Sequence, residues 1–407
     1  RSGSIMPLTT RGISVKDNMA TATQLNSTER SISARLALVF ALRMLGLFIV
    51  LPVFVPYAHT LSGGDSAVWI GLAMGAYGLV QAFLYIPYGI ASDRLGRKPM
   101  ILLGLLIFAA GSIWAAYAES VYALTAARAL QGAGAISSVV VAMVADHTRD
   151  EVRTRAMAMV GMSIAFTFAL SLIIAPLLFE SVGMFGIFML IALCSLLAMI
   201  LIWGIPSQQQ KGQISSWARL QLVLHDSKQW RLNFGVFVLH AVQMAMWVVI
   251  PQRLAGLNIS HTTSAWMYAV VIVISMGAMV PLIIRAEKYG KMQQIMSLSI
   301  ALVGAALLLL ATDWGGVGLL VLALLLFFVG FNVLEATQPS LLSKQTHAET
   351  KGAAAGVYNT IQALGLFIGA FAGAVINAHF GAMAMFLAGV ALVVVWWLVH
   401  QSSSVKT

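Results

Sequence analysis

Twelve apolar runs, each close to the length that crosses a bilayer, are the feature that most restricts this chain. They fall at 36–58, 68–91, 100–118, 121–146, 156–179, 184–205, 232–254, 265–285, 292–312, 316–338, 353–377 and 380–400. About twenty helical residues span the roughly 30 Å of hydrocarbon, and a helix satisfies its own backbone there without a partner. Hydrophobic residues make up 60% of the chain and charged residues 9%, where a soluble domain carries roughly a quarter charged. The expectation is an all-α membrane protein of twelve transmembrane helices. The longest connection, 206–231, divides six runs from six, so two six-helix bundles are expected over 36–205 and 232–400 with a cytoplasmic linker between them. Residues 1–35 read as a polar tail, partly vector-derived, with Met19 the native start, and 401–407 as a C-terminal tail.

A net charge of +10 invites a nucleic-acid partner, but the placement of the charges excludes it. Assigning the tails and the even-numbered loops to one side puts 21 of the 24 basic residues there. The exceptions are Arg43, Arg128 and Arg253, and the acids Asp65, Glu119, Glu180 and Asp313 fall on the other side. The positive-inside rule then puts both termini in the cytoplasm, in an inner (plasma) membrane with lipid as a partner. The single cysteine, Cys194, excludes an intramolecular disulfide. No metal site and no cofactor are expected.

The second half repeats the first. Val39-Phe40-Ala41-Leu42-Arg43 lines up with Val236-Phe237-Val238-Leu239-His240, and each of these helices is expected to end at a proline, Pro52 or Pro251. Trp69 pairs with Trp266, and Arg285-Ala286-Glu287-Lys288-Tyr289-Gly290-Lys291 is a weaker copy of the polar stretch at 93–98. Such repeats place a substrate site near the midplane between the halves.

Ionisable groups inside the hydrocarbon cost several kcal/mol unless paired or hydrated, so the few present carry most of the functional information. They are Arg43, Arg128, Glu335 and His240. One alternative is a structural ion pair that locks helices together; the other is a proton or substrate site. Glu335, as the acid of the second half, is the preferred proton carrier, His240 is second, and Arg128 and Arg43 complete the proton-coupling set. Around them, helical spacing gathers a candidate cavity from Met44, Phe48, Gln81, Tyr85, Gln243, Trp247, Asn332, Asn359 and Gln362. Few hydrogen-bonding groups among many Met and aromatic side chains suit an apolar or amphipathic substrate. Interhelical hydrogen bonding is the alternative role for each polar residue.

Only about ten residues separate the second and third runs, so these helices are antiparallel neighbours. The stretch between them, Gly89-Ile90-Ala91-Ser92-Asp93-Arg94-Leu95-Gly96-Arg97-Lys98-Pro99, resembles the G-x-x-x-D-R-x-G-R-K signature of the major facilitator superfamily of secondary transporters. Arg128-Ala129-Leu130-Gln131-Gly132-Ala133-Gly134 resembles the R-x-x-Q-G-x-G motif of proton-coupled members, whose arginine assists proton transfer. The resemblance implies the major facilitator fold over about 34–400. It also implies that Asp93 holds the start of the eleventh helix, and that Arg94, Arg97 and Asp146, with Gly89, Gly96 and Lys98, form a cytoplasmic gate. The branch it most resembles is the drug/proton antiporter-like one of the YajR type, here without that type's C-terminal soluble domain. One motif departs from the pattern: Ala175-Pro176-Leu177-Leu178-Phe179-Glu180 keeps the proline of an antiporter stretch but not its glycines, which leaves the direction of transport open. Gly365, Gly369 and Gly373, four apart, are expected to pack closely against a neighbouring helix.

In the linker, Trp217, Leu220 and Leu224 share one helical face, which suggests an interfacial helix on the inner leaflet. H-E-x-x-H, G-x-S-x-G and phosphate-loop patterns are all missing, which argues against an enzyme and against a direct ATP-driven pump. Nothing resembles a selectivity filter. The chain is expected to be a monomeric, proton-coupled exporter of hydrophobic or cationic small molecules. The alternatives are a symporter or uniporter of a metabolite and, in a different class, a lipid flippase or a non-transporting scaffold.

Overall fold

A computed structural model describes residues 25–206, 216–312, 316–346 and 350–402. Helices account for nearly all of them. In chain order they are α1 (Ser27–Phe48), α2 (Phe54–His59), α3 (Ala67–Leu95), α4 (Arg97–Ala116), α5 (Val121–Ala133), α6 (Ser137–Asp146), α7 (Asp150–Trp203), α8 (Ser216–Leu224), α9 (Ser227–Gly256), α10 (His261–Lys288), α11 (Met292–Ala311), α12 (Gly316–Gln345) and α13 (Lys351–Gln401). Among the described residues, ten helical segments are long and apolar enough to cross a membrane. α7 has 54 residues and α13 has 51, and each carries one glycine outside helical geometry: Gly183 at φ 63° and Gly381 at φ 81°. Glycine takes that left-handed backbone without a Cβ penalty.

Several boundaries depart from the sequence expectation, each for a local reason. α1 starts upstream of Leu36, because Asn26 accepts from the Glu29 N–H at 2.8 Å while Glu29 accepts from the Asn26 N–H at 2.9 Å. This capping box holds polar residues in a helix that apolar periodicity alone does not reveal. α1 stops at Phe48, the residue four before Pro52, where a proline ring collides with the preceding turn. Its repeat partner does not stop: α9 runs through Pro251 to Gly256. The fourth run is also broken, into α5 and α6, at Gly134–Ile136.

The two halves meet where α3 packs on α13 and where α7 packs on α10. Glycines permit the first contact. A Cβ on Gly71 would meet Ala374 Cβ at 2.9 Å, and one on Gly75 would meet Phe367 at 2.8 Å. Within the second half, Gly365, Gly369 and Gly373 press α13 against Phe237, Ala241 and Ala245 of α9, the close packing expected of that stripe. On the linker helix α8, Leu220 and Val223 are buried against Val236, Leu342 and Tyr358, while Leu222 and Leu224 are exposed. The buried face is therefore shifted from the expected one; the Trp217 and Arg219 side chains lie outside the described residues.

Candidate functional site: a buried proton acceptor facing a pair of buried arginines

In the second half three spans converge on one polar point. His240 on α9 is buried, and its Nδ1 lies 3.0 Å from the Val236 carbonyl, which can only accept; Nδ1 therefore carries the proton. Nε2 of the neutral ring is left as an acceptor, and the Gln362 amide of α13 sits 2.7 Å from it. The same amide reaches Glu335 Oε1 on α12 at 3.5 Å, and Glu335 Oε2 lies 3.5 Å from His240 Nε2. One NH2 group thus bridges an imidazole and a carboxylate. A proton arriving on Nε2 would turn the imidazole from acceptor to donor, away from the Gln362 amide and toward Glu335. Glu335 is 32% exposed along its side chain, less buried than its position in an apolar run implies, while its Oε2 is itself buried without a hydrogen-bond partner among the described residues.

In the first half two arginines are buried in mid-span, and their hydrogen-bond partners are neutral. Arg43 is fully buried, donates from Nη1 to Ser137 Oγ at 2.7 Å, and donates to the oxygen of the Gln81 amide, whose nitrogen then reaches Tyr85 Oη at 3.2 Å. Arg128 donates to Gln131 Oε1 at 2.7 Å, and Gln131 donates onward to Ser112 Oγ at 2.8 Å. Both guanidinium groups stack on one ring: Tyr77, 5.8 Å from Arg43 and 4.9 Å from Arg128. Gly132 lets this happen, since α5 lies directly on the Tyr77 backbone where any Cβ would collide.

A chain of aromatic rings runs from α1 to His240. Phe48 meets Phe168 at 4.9 Å, Phe168 meets Phe331 at 5.8 Å, and Phe331 lies 5.8 Å from the His240 ring. Met44 packs beside them. Trp247 is fully buried and stacks edge-on to Tyr268 at 5.7 Å; its Nε1, the Tyr268 hydroxyl and the Gln243 amide nitrogen have no hydrogen-bond partner among the described residues. Asn332 turns away from Glu335 and donates to Ser275 of α10 at 3.0 Å, so the two do not share a site despite their spacing. Asn359 is half-buried on α13. Residues that sequence reasoning missed are Tyr77, Ser112, Ser137, Phe168, Tyr268 and Phe331. Only Gln131, inside the quoted motif, carried a signal.

At the α3–α4 turn, Arg97 joins Asp93 at 2.5 Å and Asp146 at 3.1 Å. Gly96 turns the chain between α3 and α4 at φ 97°, a conformation its repeat partner Gly290 shares at φ 63°. Not every residue expected at the gate lies in this cluster. Arg94 is exposed, a Cβ on Gly89 would meet open space, and Lys98 caps the end of α7 by donating to the Trp203 carbonyl at 2.6 Å. On the opposite side the halves touch through His59 and Gln252 at 3.1 Å, and through Thr262 and Glu180 at 3.3 Å.

Two helical halves around a sparsely charged midline, with repeated glycine turns, define a secondary-transporter architecture rather than an enzyme. The chain belongs to the Major Facilitator Superfamily, whose sequence profile matches residues 36–370 and 232–406. It is 40% identical to the inner membrane transport protein YajR of Escherichia coli (strain K12), over 92% of this chain and 83% of that protein. It is 28% identical to the multidrug resistance protein MdtH of Aeromonas salmonicida (strain A449), over 83% of this chain and 84% of that one. The crystal structure of the nucleoside transporter NupG (D323A mutant) superposes with a TM-score of 0.71 at 14% identity, covering 91% of this chain and 99% of that one.

Proposed function

We propose that this chain is a proton-coupled secondary transporter that exports hydrophobic small molecules by alternating access between two halves of six spans. The observation that carries it is the Gln362 amide bridging His240 and Glu335 at the junction of three helices, a group that can take and release a proton inside a membrane protein. Counting a turn at Gly183 and another at Gly381 makes twelve spans of ten segments. With the basic residues placed inward, both termini are cytoplasmic in the inner membrane. Asp93, Arg97 and Asp146 then lie at the cytoplasmic gate, where Asp93 holds the start of the eleventh span. The monomer is the working unit, solvated by lipid. Multidrug export is supported by the name of MdtH.

Everted vesicles test the proposal: adding substrate to acid-loaded vesicles that contain the protein should release protons, and Glu335→Gln should abolish that release with expression intact. Unchanged release in the variant would overturn it. A second direction, symport, is favoured by one observation. Among the described mid-span residues Arg43 and Arg128 stand against Glu335, so protonating Glu335 leaves the region more positive and better able to hold an anion. Proton and substrate moving in the same direction would establish symport.

A further inference from the structure

The buried arginines of the first half have no carboxylate. Among the described residues the ion pairs are Asp93–Arg97, Arg97–Asp146, Glu29–Arg149 and His240–Glu335; neither Arg43 nor Arg128 has an acid within 4 Å. Both are at most 1% exposed, and the Nε of each is without a partner. Ser137, Gln81 and Gln131 satisfy other nitrogens but neutralise nothing. Stacking on Tyr77 offsets part of the cost of desolvating the cations but supplies no opposite charge.

A third positive element lies beside them. The break at Gly134–Ile136 exposes the N-terminus of α6 inside the bundle, and Ile136 at its cap has no side chain that can accept from the first N–H groups. Arg43 is hydrogen-bonded to Ser137, the first residue of that helix. Placing a cation at the positive end of a helix dipole is unfavourable unless an anion joins both. Water can fill the open hydrogen bonds; it cannot balance the charge.

We infer that Arg43 and the N-terminus of α6 form a binding site for the acidic group, carboxylate in class, of an amphipathic organic acid, with Arg128 reinforcing it across the Tyr77 ring. The apolar body of the ligand would lie toward Phe48, Phe168 and Phe331. This gives the cargo a sign opposite to the cationic one expected from sequence. That the acid is transported rests on the function proposed above; the anion site does not.

The test uses the full chain in nanodiscs and a size-matched pair of probes, naphthoate and naphthyltrimethylammonium, measured by equilibrium dialysis in gluconate and again in chloride. Naphthoate should bind at least about tenfold more tightly than the ammonium probe, a difference equivalent to about 1.4 kcal/mol. Arg43→Gln should weaken naphthoate by about tenfold or more, and Arg43→Lys should restore most of the loss. Ser137→Asp sets a carboxylate beside Arg43, so it should abolish naphthoate binding and raise the melting temperature. Tighter binding of the ammonium probe, or naphthoate affinity indifferent to Arg43→Gln, would overturn the site. Stabilisation by chloride with no response to naphthoate would overturn the organic-acid assignment. If Arg43→Gln fails to fold, the wild-type probe preference and Ser137→Asp still decide. Naphthoate binding without any coupled flux would remove the transport proposal and leave the anion site standing.

Discussion

Arg43 and His240 hold the same place in the two sequence repeats, and both side chains are buried, yet their surroundings have diverged. Around Arg43 the scaffold is interrupted: α1 ends four residues before Pro52, and the fourth span breaks at Gly134–Ile136. Around His240 it is continuous, with α9 passing through Pro251 and α12 carrying Glu335 in mid-helix. A broken helix offers unpaired backbone N–H groups, which suit an anion. An unbroken helix consumes its own and leaves only side chains to exchange a proton. At matching repeat positions one half therefore presents a buried arginine beside a helix break, and the other a buried histidine next to a glutamine and a carboxylate.

The comparison can be broken most severely through the backbone contacts that hold the second half together. A Cβ on Gly369 would enter the Ala241 backbone, so Gly369→Leu should prevent assembly altogether, read as loss of the monodisperse peak in size-exclusion chromatography. Gly89→Leu, in open space within the signature loop, should not. A folded Gly369→Leu would mean that the α9–α13 contact is not structural.

Next in size is the division of labour itself. Glu335→Gln should lower proton-coupled flux by about a hundredfold or more, as expected for losing a group that carries the proton, and leave naphthoate affinity within about threefold. Equal loss of both in proteoliposomes would merge the two centres into one. Asp93→Asn removes the ion pair with Arg97 and should slow turnover by roughly tenfold with little change in KM, the pattern of a lost conformational contact. A raised KM at normal turnover would move Asp93 to the substrate path. The smallest effect is expected from Gln131→Leu, which strands Arg128 Nη1 and leaves Ser112 Oγ only its bond to the Phe108 carbonyl. Stability should fall by about 1–3 kcal/mol in a reversible denaturation series. An unchanged midpoint would show that water replaces the amide.

How much of this was legible without coordinates differs by level. The helical class and the packing role of Gly365, Gly369 and Gly373 follow from apolar run length and four-residue spacing, because bilayer thickness and helix pitch are fixed quantities. Buried ionisable residues were equally visible, since a charge in an apolar run stands out wherever it later points. Their partners were not. Spacing put Asn332 with Glu335, but Asn332 bonds Ser275 on α10 and Glu335 meets His240 and Gln362 on α9 and α13. Tyr77, Phe168 and Phe331 look like any other aromatic residue in a transmembrane run until helices distant in sequence bring them together.

The sequence by itself determined that this chain is made of apolar helices long enough to cross a membrane with a handful of ionisable residues set inside them, because hydrophobic length and burial cost are local properties of a segment. Only the tertiary structure decided that His240 meets Glu335 through Gln362, and that Arg43 and Arg128 flank one tyrosine ring beside a helix break. Those relations depend on which helix faces which, on the turn at which Pro52 or Gly134–Ile136 interrupts a span, and on the few ångströms that a glycine contact allows.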